Sequence, residues 1–426
     1  MIDLNDLRAN PEKFRADFEK RGMPQKNPLV DLVLKLDLQH RECISALQDL
    51  RRQKNDLSSQ IEALKKQKKP ADSVLSKAKQ LPGKIKGLEE KQKKLAEELQ
   101  VSLLKFPNLL DGSVPGGKSD ADNVLVRSFL LPRQPVFELM HHGEFAVKLG
   151  GADFERAVKV SGSGFYFLKN DLARMELALQ QFGISLLLEK GFSLVSVPLM
   201  LKRKYYEGVT DLADFENVMY KVDGGDLYLI ATSEHPMAAM YSGEILSGED
   251  LPIKLCGISA CFRREVGKHG LDERGLFRVH QFNKVEQFVF CRPDQSDKLL
   301  EELVSNAENF LKKLEIPFQT TNVCTGDIGA VAAKKYDVNG WSPREKKFIE
   351  LMSISNCTSY QSRRLGVKYR QKGLDKDYVH TLNGTLVATA RLLRIILENN
   401  QTKDGRLEIP KVLRPFMGGK KEIKAP

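Results

Sequence analysis

The first quarter of the chain carries leucines and other apolar residues at alternating spacings of three and four. The pattern falls in residues 28–67 on Cys43, Leu47, Leu50, Leu57, Ile61 and Leu64, and resumes after Pro70 at Ala78, Leu81, Ile85, Leu88, Leu95 and Leu99. Such spacings are typical of a coiled-coil seam, and proline ends the first helix. We predict an antiparallel helical hairpin, preceded by a short helical cap over residues 1–22. Forty helical residues would extend about 60 Å.

Pro82 and Gly83 interrupt the second helix of this hairpin. Proline inside a helix costs about 3 kcal/mol, because it removes a backbone donor and its ring clashes with the preceding turn. We therefore expect a kink at this point, or a longer loop at the tip of the hairpin.

The pattern changes after a linker that contains proline and glycine. We assign residues 1–105 to the helical arm, 106–123 to the linker and 124–426 to a second domain. In that domain we predict helices over 172–191, 301–315 and 385–400, strands over 192–200, 226–236 and 347–356, and two strands around a glycine-bearing loop within 262–288. Most of these strands are joined by loops rather than by alternating helices. The fold class is therefore α+β, with an antiparallel sheet flanked by helices.

Composition restricts the functional classes. At 426 residues the chain exceeds what one hydrophobic core usually spans. The six cysteines form no Cys-x-x-Cys pair and no metal spacing. The N-terminus lacks an apolar signal region, and no apolar run approaches 18 residues, so we expect a cytoplasmic protein without a membrane span. No G-x-x-x-x-G-K-[ST] loop and no G-x-G-x-x-G turn is present, so side chains would have to bind any phosphate.

The net charge of +11 indicates an anionic partner, most often nucleic acid. The cations concentrate in the predicted hairpin, at Arg51, Arg52, Lys54, Lys65, Lys66, Lys68, Lys69, Lys77, Lys79, Lys84, Lys86, Lys91, Lys93 and Lys94. A solvated coiled-coil face would also explain this charge. Beside a nucleotide-using domain, however, it favours contact with an RNA backbone.

Residues 262–288, FRREVGKHGLDERGLFRVHQFNKVEQF, combine arginines, glutamates and phenylalanines around three glycines. If this stretch is strand, turn and strand, the alternation of side chains gathers one set on a single face: Arg278, His280, Phe282, Lys284 and Glu286. Guanidinium groups bind phosphate oxygens, a ring stacks on a base and a carboxylate accepts from an amine. The face therefore suits a nucleoside triphosphate, although a surface hairpin with cross-strand ion pairs would also explain the charges.

The same stretch resembles motif 2 of the class II aminoacyl-tRNA synthetases, in the form seen in seryl-tRNA synthetases. LYLIATSEHP resembles that family's Thr-x-Glu serine loop, ISNCTSYQSRR its Ser-Asn-Cys…Gln-x-Arg-Arg signature, and TLNGTLVATARLLRIILENNQ its motif 3. Residues 190–198 resemble motif 1, the dimer segment, and residues 202–223 look like archaeal members. The likeness covers nearly the whole chain, and the motifs occur in the family's order.

The resemblance implies two adjoining sites. ATP would be bound by Arg263, Arg264, Glu265, Arg278, Val279, Phe282, Glu350, Leu351, Met352, Ser353 and Arg391. L-serine would be bound by Thr232, Ser233, Glu234, Arg263, Glu286, Asn383 and Thr385. The catalytic residues would be Arg263, Glu286 and Arg391. Glu350 and Ser353 would hold Mg²⁺, which prefers oxygen ligands.

The implied reaction has two steps. The serine carboxylate attacks the α-phosphorus of ATP to give seryl-adenylate and pyrophosphate, and the 3′ end of tRNA(Ser) then takes the seryl group. The resemblance also implies a homodimer, tRNA(Sec) as a candidate second partner, and tRNA recognition by the helical arm. Residues 402–426 follow motif 3, and because this stretch is short we expect tRNA selection to come from the arm rather than from a separate anticodon-binding domain.

Besides Pro82 and Gly83 in the arm, the chain departs from the family's pattern in two places. Leu271, Asp272 and Glu273 stand where many members carry Arg-Asp-Thr, which puts the contact of this loop with the acceptor end of tRNA in question. Met352 occupies a position that usually holds serine or threonine.

Three alternatives stay open: a ligase that loads a carrier protein, a synthetase for another small amino acid, and an RNA-binding coiled-coil protein with an inactive catalytic fold. The retained arm argues against the first, and Glu286 with Thr385 favours a substrate that bears a hydroxyl. Intact Arg263, Glu265, Glu286 and Arg391 argue against the third.

Overall fold

The computed structural model describes residues 1–132, 134–211, 216–265 and 275–426. The chain divides into two compact units, Met1–Pro107 and Asn108–Pro426. The departure from the family's pattern at Leu271, Asp272 and Glu273 lies outside the described residues.

The first unit is helical and confirms the predicted hairpin. Its helices are α1 (Leu4–Ala9), α2 (Pro11–Lys20), α3 (Asn27–Lys66) and α4 (Asp72–Leu104). The buried seam of the α3–α4 pair includes Val33, Leu36, Cys43, Leu47, Leu81, Leu95 and Leu99. At the base, the Nε and Nη2 atoms of Arg8 each donate to a carboxylate oxygen of the buried Asp37 at 2.7 Å. This bidentate ion pair links α1 to α3.

The tip of the hairpin is a short turn at residues 67–71. Lys68 adopts a left-handed backbone with φ 54°, and the N–H groups of Lys69 and Lys68 donate to the carbonyls of Leu64 and Lys65 at 3.0 and 3.1 Å. This pair of bonds is a Schellman motif, which satisfies the last carbonyls of α3.

The longer loop at the tip of the hairpin, one of the two expectations, is wrong, because α4 begins at Asp72 and continues through Pro82 and Gly83. They are exposed, so water can bond the carbonyl that proline leaves without its usual donor. The adjacent Leu81 stays in the buried seam. Packing along the seam therefore outweighs the local cost of the proline.

The second unit is built on β-strands. They are β1 (Val124–Phe129), β2 (Ala152–Asp153), β3 (Phe167–Leu168), β4 (Ser193–Ser196), β5 (Met200–Lys202), β6 (Leu227–Leu229), β7 (Ile245–Ser247), β8 (Ile253–Phe262), β9 (Gln281–Cys291), β10 (Phe318–Asn322), β11 (Lys334–Ser342), β12 (Lys347–Asn356), β13 (Lys368–Arg370), β14 (Asp377–Tyr378), β15 (His380–Ala388), β16 (Leu407–Glu408) and β17 (Glu422–Ile423). In the described part of the chain, the largest sheet has eight strands in the order β1-β10-β11-β12-β15-β9-β8-β4. Its pairs are antiparallel except β4 with β8. The predicted α+β class is confirmed.

Helices cover this sheet. They are α5 (His142–Lys148), α6 (Phe154–Ser161), α7 (Asn170–Glu189), α8 (Arg203–Val209), α9 (Glu234–Ala239), α10 (Ser296–Lys313), α11 (Tyr360–Leu365) and α12 (Thr389–Asn399). The main hydrophobic cluster joins α7, α10 and α12 to the central strands through residues such as Leu179, Leu303, Leu393 and Val387.

Three predicted elements need correction. The strand predicted over 192–200 is two short strands, β4 and β5, and the one over 226–236 is β6 followed by α9. The helix predicted over 385–400 would begin at Thr385, but this residue lies in β15, and the helix begins at Thr389. The cause is that β15 is buried on both faces, so residues 385–388 lack the alternation of a half-buried strand and cannot be told from the start of a buried helix by periodicity.

From Asn108 onward, the linker predicted over 106–123 is part of the second unit, and it carries a short 3-10 turn at Asp120–Asp122. The Nδ2 atom of Asn108 donates to the carbonyls of Val331 and Cys357 at 2.9 and 2.8 Å. Val114 is buried with Val323. No helix in the described ranges has the length and apolar character needed to cross a membrane.

Candidate active site

A cleft lies where β8, β9, β12 and β15 meet the start of α12. Its walls bring together many of the residues predicted to bind ATP and serine: Arg263, Glu265, Arg278, Val279, Phe282, Glu350, Leu351, Thr385 and Arg391. Phe277 and Lys284 also line it. Residues far apart in the sequence therefore share one surface, as the motifs predicted.

Arg263 and Phe282 form one wall. Strands β8 and β9 pair so that Cys261 lies opposite Phe282, and Arg263 follows the end of β8. Its guanidinium carbon lies 5.5 Å from the centroid of the Phe282 ring, and its Nε donates to the carbonyl of Ala231 at 3.3 Å. Arg264 is exposed and not part of this wall.

Glu265 and Arg278 face each other across the cleft mouth, with 3.5 Å between Oε2 of Glu265 and Nη1 of Arg278. Glu265 has a left-handed backbone with φ 39°, which is strained for a residue with a side chain and common at ligand sites. Arg278 and His280 were predicted to lie in the second strand, but β9 begins at Gln281. Because they precede the strand, successive residues Arg278 and Val279 both reach the cleft.

A β-bulge shapes the opposite wall. In the pairing of β11 with β12, Val338 lies opposite Met352 and Asn339 opposite Glu350, which leaves Leu351 as an extra residue. In a regular strand, Glu350 and Ser353 would point to opposite faces. The extra residue brings them to one face, while the side chains of Leu351 and Met352 are buried in the hydrophobic core at 2% and 0% exposure. Met352 can therefore reach a ligand only through its backbone.

Arg391 crosses from α12 to this wall. Its Nη1 donates to the backbone carbonyl of Glu350 at 2.8 Å and lies 3.2 Å from that residue's Oε1. The guanidinium carbon is also 5.5 Å from the centroid of the Phe277 ring. Arg391 and Arg263 thus supply positive charge from two sides of the cleft.

Two glutamates lie next to Lys284 and Thr385, which line the cleft; we call this group the floor. Glu286 is 1% exposed, and its Oε2 lies 2.5 Å from Nζ of Lys284, which also donates to Oγ1 of Thr232 at 3.1 Å. Oε1 of Glu234 accepts from the amide groups of Gln361 and Asn383, each at 3.1 Å. Burial raises the pKa of Glu286 above its usual value. Burial and the nearby Glu286 raise the pKa of Glu234 to about 7.

Thr385 lies directly opposite Glu286 in the pairing of β15 with β9. A second bulge follows it, because Val387 pairs with the next residue of β9. Ser233 is fully buried, and its hydroxyl has no hydrogen-bond partner among the described residues. The serine-site residues predicted from the sequence are therefore gathered around the two carboxylates.

Three residues with clear contacts in this region were given no role by the sequence. Lys284 lies between Phe282 and Glu286 in the alternating pattern, so the sequence placed it on the predicted face without assigning it a function. Gln361 lies inside the matched ISNCTSYQSRR segment. Asp337 pairs with Ser353, is 4% exposed with Oδ1 unpartnered among the described residues, and burial raises its pKa to about 7. Only the pairing of β11 with β12 could have revealed Asp337.

Two family models match the chain. Residues 1–110 match the seryl-tRNA synthetase N-terminal domain, and residues 219–400 match the tRNA synthetase class II core domain (G, H, P, S and T). Among curated relatives, the serine–tRNA ligase of Methanospirillum hungatei is 51% identical over 422 residues, or 99% of each chain. The serine–tRNA ligase of Pyrococcus horikoshii is 43% identical and is aligned over 99% of this chain and 98% of its own length.

Solved structures agree with these relatives. The seryl-tRNA synthetase of P. horikoshii, crystallised with ATP, matches with a TM-score of 0.93 at 42% identity over 100% of both chains. The cytoplasmic serine–tRNA ligase of Naegleria fowleri, in complex with AMP, matches with a TM-score of 0.87 at 38% identity over 100% of this chain and 99% of its own. The chain therefore belongs to the seryl-tRNA synthetase family of class II aminoacyl-tRNA synthetases.

Proposed function

We propose that the cleft forms seryl-adenylate from L-serine and ATP, and that the seryl group then passes to the 3′ end of tRNA(Ser). Family membership supports the overall reaction. The roles of individual residues rest on their positions in the cleft.

The observation that carries the proposal is a pair of carboxylates, the partly buried Glu234 and the buried Glu286, at the floor of an arginine-walled cleft. An isolated buried carboxylate is costly, and both of these have raised pKa values. The ammonium group of serine would compensate that cost, and Thr385 beside Glu286 would bond the serine hydroxyl. A site that bonds a hydroxyl can reject an analogue without one by roughly 10⁴–10⁵, which would exclude alanine.

ATP would lie along the two arginine walls. Phe282 and Arg391 would enclose the adenine, Glu265 would accept from its amino group, and Arg278 would meet the distal phosphates. Arg263 would contact both the α-phosphate and the serine carboxylate. Because that carboxylate is already an anion, adenylate formation needs no general base, and catalysis reduces to alignment and neutralisation of charge.

Glu350 and Ser353 fit a magnesium site, because the bulge gives their oxygen atoms a common face and magnesium prefers such ligands. When bound, Mg²⁺ would neutralise phosphate charge as pyrophosphate leaves. The buried Asp337 behind Ser353 would orient its hydroxyl.

Lys284 would balance the charge of Glu286 before serine arrives, since its ammonium group is 2.5 Å from that carboxylate. Changing Lys284→Met would leave two enclosed carboxylates near each other with one cation fewer. We expect KM for serine to rise by about ten- to a hundredfold, with a smaller change in KM for ATP. Equal changes in both constants would contradict this role.

The helical arm would bind the tRNA, because all fourteen basic residues named from its sequence are exposed. We extend this proposal to tRNA(Sec) as a second acceptor. A homodimer is supported by exposed apolar side chains in and around the motif 1 segment: Leu194 lies within it, and Leu177, Leu188 and Met200 lie on the flanking α7 and β5. The cytoplasm is the proposed location.

Pyrophosphate exchange into ATP tests this function directly. We expect exchange to depend on L-serine and to be far weaker with alanine or threonine at equal concentration. Exchange with another amino acid and not with serine would identify a different synthetase. The absence of exchange with any amino acid would leave an RNA-binding protein.

A further inference from the structure

A buried polar chain lies behind the cleft, between α5 and α12, and the proposed reaction does not use it. His142, the first residue of α5, is fully buried. Its Nε2 accepts a hydrogen bond from the backbone N–H of Leu276 at 3.3 Å, and its Nδ1 faces Oε1 of Glu398 at 3.6 Å. Leu276 directly precedes Phe277 and Arg278, which line the cleft.

Glu398 is held as an anion. Burial alone would raise its pKa, but His142, Arg394 and Ser342 together lower the pKa to about 2. Its oxygens accept from Nε of Arg394 at 2.8 Å and from Oγ of Ser342 at 2.5 Å. An ionised carboxylate can only accept, so the proton of a neutral His142 belongs on Nδ1. That tautomer leaves Nε2 free to accept from Leu276, and both contacts therefore require the same form of the ring.

The chain of contacts returns to the cleft through Arg394. This arginine is 1% exposed, forms an ion pair with Glu345, and holds its guanidinium carbon 4.4 Å from the centroid of the Phe277 ring. Arg391 contacts the same ring from the cleft side. Glu398 is thus connected to the residues before β9 twice, through His142 to the backbone and through Arg394 to the Phe277 side chain.

Gly275 makes the contact with His142 possible. It has φ +82°, and a Cβ atom there would lie 2.9 Å from Nε2 of His142. The chain therefore approaches the imidazole more closely than a residue with a side chain would allow.

We propose that His142 is a positioning residue for ATP, which bonds the Leu276 N–H and, anchored on Glu398, fixes Phe277 and Arg278 in the wall of the cleft. This inference rests on the proposed function for its substrate. It assigns His142 no contact with ATP.

Two substitutions distinguish the contribution of Nε2 of His142 from that of Nδ1. His142→Gln places an amide oxygen near the position of Nε2 and keeps the acceptor for Leu276, whereas His142→Asn places an amide nitrogen near Nδ1 and keeps only the donor to Glu398. Loss of the acceptor leaves a buried N–H unbonded. We expect His142→Asn to weaken ATP binding and raise KM for ATP by roughly tenfold, with KM for serine within about twofold of wild type, and His142→Gln to restore most of the loss.

The matched control is Thr320→Val, which removes a buried hydrogen bond from Thr320 Oγ1 to Glu308 Oε1 at 2.8 Å elsewhere in the same sheet. It should lower the melting temperature and leave both KM values unchanged. Gly275→Ala should repeat the ATP-specific loss, because its methyl group would push the chain away from His142.

Calorimetry in the absence of serine measures ATP affinity alone, so it tests the role of His142 independently of the proposed function. Missing serine-dependent exchange in the wild-type protein would overturn the function, while the ATP affinities would still decide the role of His142. If Asn and Gln variants lose ATP affinity equally, or lose ATP and serine affinity in parallel with thermal stability, His142 is only a core residue and the inference is wrong.

Discussion

The helical hairpin and the cleft floor both concentrate charge, but in opposite surroundings. On the hairpin, the side chains of Arg51 and Glu89 form an ion pair while 61% and 46% exposed, and such a pair contributes at most about 1 kcal/mol. On the floor, the side chains of Lys284 and Glu286 are 8% and 1% exposed. Removal of one partner from a buried pair costs about 3–5 kcal/mol.

The difference predicts how each region acts. Exposed cations attract a polyanion from a distance, contribute one by one and are screened by salt. Buried charges depend on one another, so the floor should respond as a unit and only weakly to salt. Catalysis and tRNA binding should therefore be separable by substitution.

Arg263→Ala should produce the largest effect. The guanidinium lies at the junction of the two proposed substrates, and loss of one electrostatic stabiliser of a transition state costs roughly 10²–10³ in rate. We expect serine-dependent pyrophosphate exchange to fall by at least that factor, while tRNA affinity in a filter-binding assay stays within about twofold. Exchange that survives the substitution would refute the assignment of Arg263.

Glu234→Gln tests the raised pKa on the floor. The pKa of the Glu234 carboxyl is about 7 in the folded protein, against an ordinary value of 4.5. The folded protein therefore keeps this proton to a higher pH than the unfolded chain does. The folded state thus binds more protons between these values, so wild-type stability falls as the pH rises from about 4.5 to about 7 and is flat beyond.

The glutamine variant has no such titration. Relative to it, the wild type should lose up to about 3 kcal/mol of unfolding free energy across that range, measured by urea denaturation at several pH values. A difference that is constant with pH would mean that Glu234 titrates normally.

A triple change of Lys91, Lys93 and Lys94 to glutamine should give the reverse of the Arg263 result. We expect tRNA affinity to fall by about tenfold at moderate salt. The slope of log affinity against log salt should become shallower by about 0.7–0.9 for each phosphate that the variant no longer neutralises. Serine-dependent exchange, which requires no tRNA, should keep its wild-type rate. An unchanged salt slope would show that this part of α4 does not contact the tRNA.

The smallest effect is expected at the tip of the hairpin. Lys68 has a left-handed backbone that costs a non-glycine residue about 1–2 kcal/mol, so Lys68→Gly should stabilise the protein by up to about 1 kcal/mol. Lys69→Gly is the matched control, since it removes the same charge without relieving a left-handed residue and should not stabilise. Thermal denaturation of both variants measures the difference.

The sequence predicted the hairpin well because the features that define a hairpin lie close together along the chain. Apolar spacing, Pro70 and the basic run all act over a few turns of helix. It was wrong about a longer loop at the tip of the hairpin, since packing along the seam lets α4 continue through Pro82. It was also wrong at Thr385, where burial on both faces of β15 hides the strand period.

The motifs predicted which residues form the candidate site, but the sequence could not predict the geometry of that site. Nothing in the order of residues shows that Leu351 is an extra residue, that Asp337 lies beside Ser353, or that His142 meets the backbone at Leu276. Two of these features depend on the exact register of the β11–β12 hairpin, and the third depends on segments that are distant along the chain. Only the sheet pairing and the packing of α5 against α12 bring them together.

The extra residue in β12 interrupts regular strand pairing and also determines which way Glu350 and Ser353 point. Deleting Leu351 would let β11 and β12 pair without interruption, and the ladder itself would be more uniform. The same deletion would turn Glu350 or Ser353 toward the hydrophobic core, so the two oxygens could no longer share an ion. If Glu350 and Ser353 hold Mg²⁺ as proposed, a regular β12 would lose one of the two ligands, and the bulge is then a requirement of the metal site rather than a defect of the sheet.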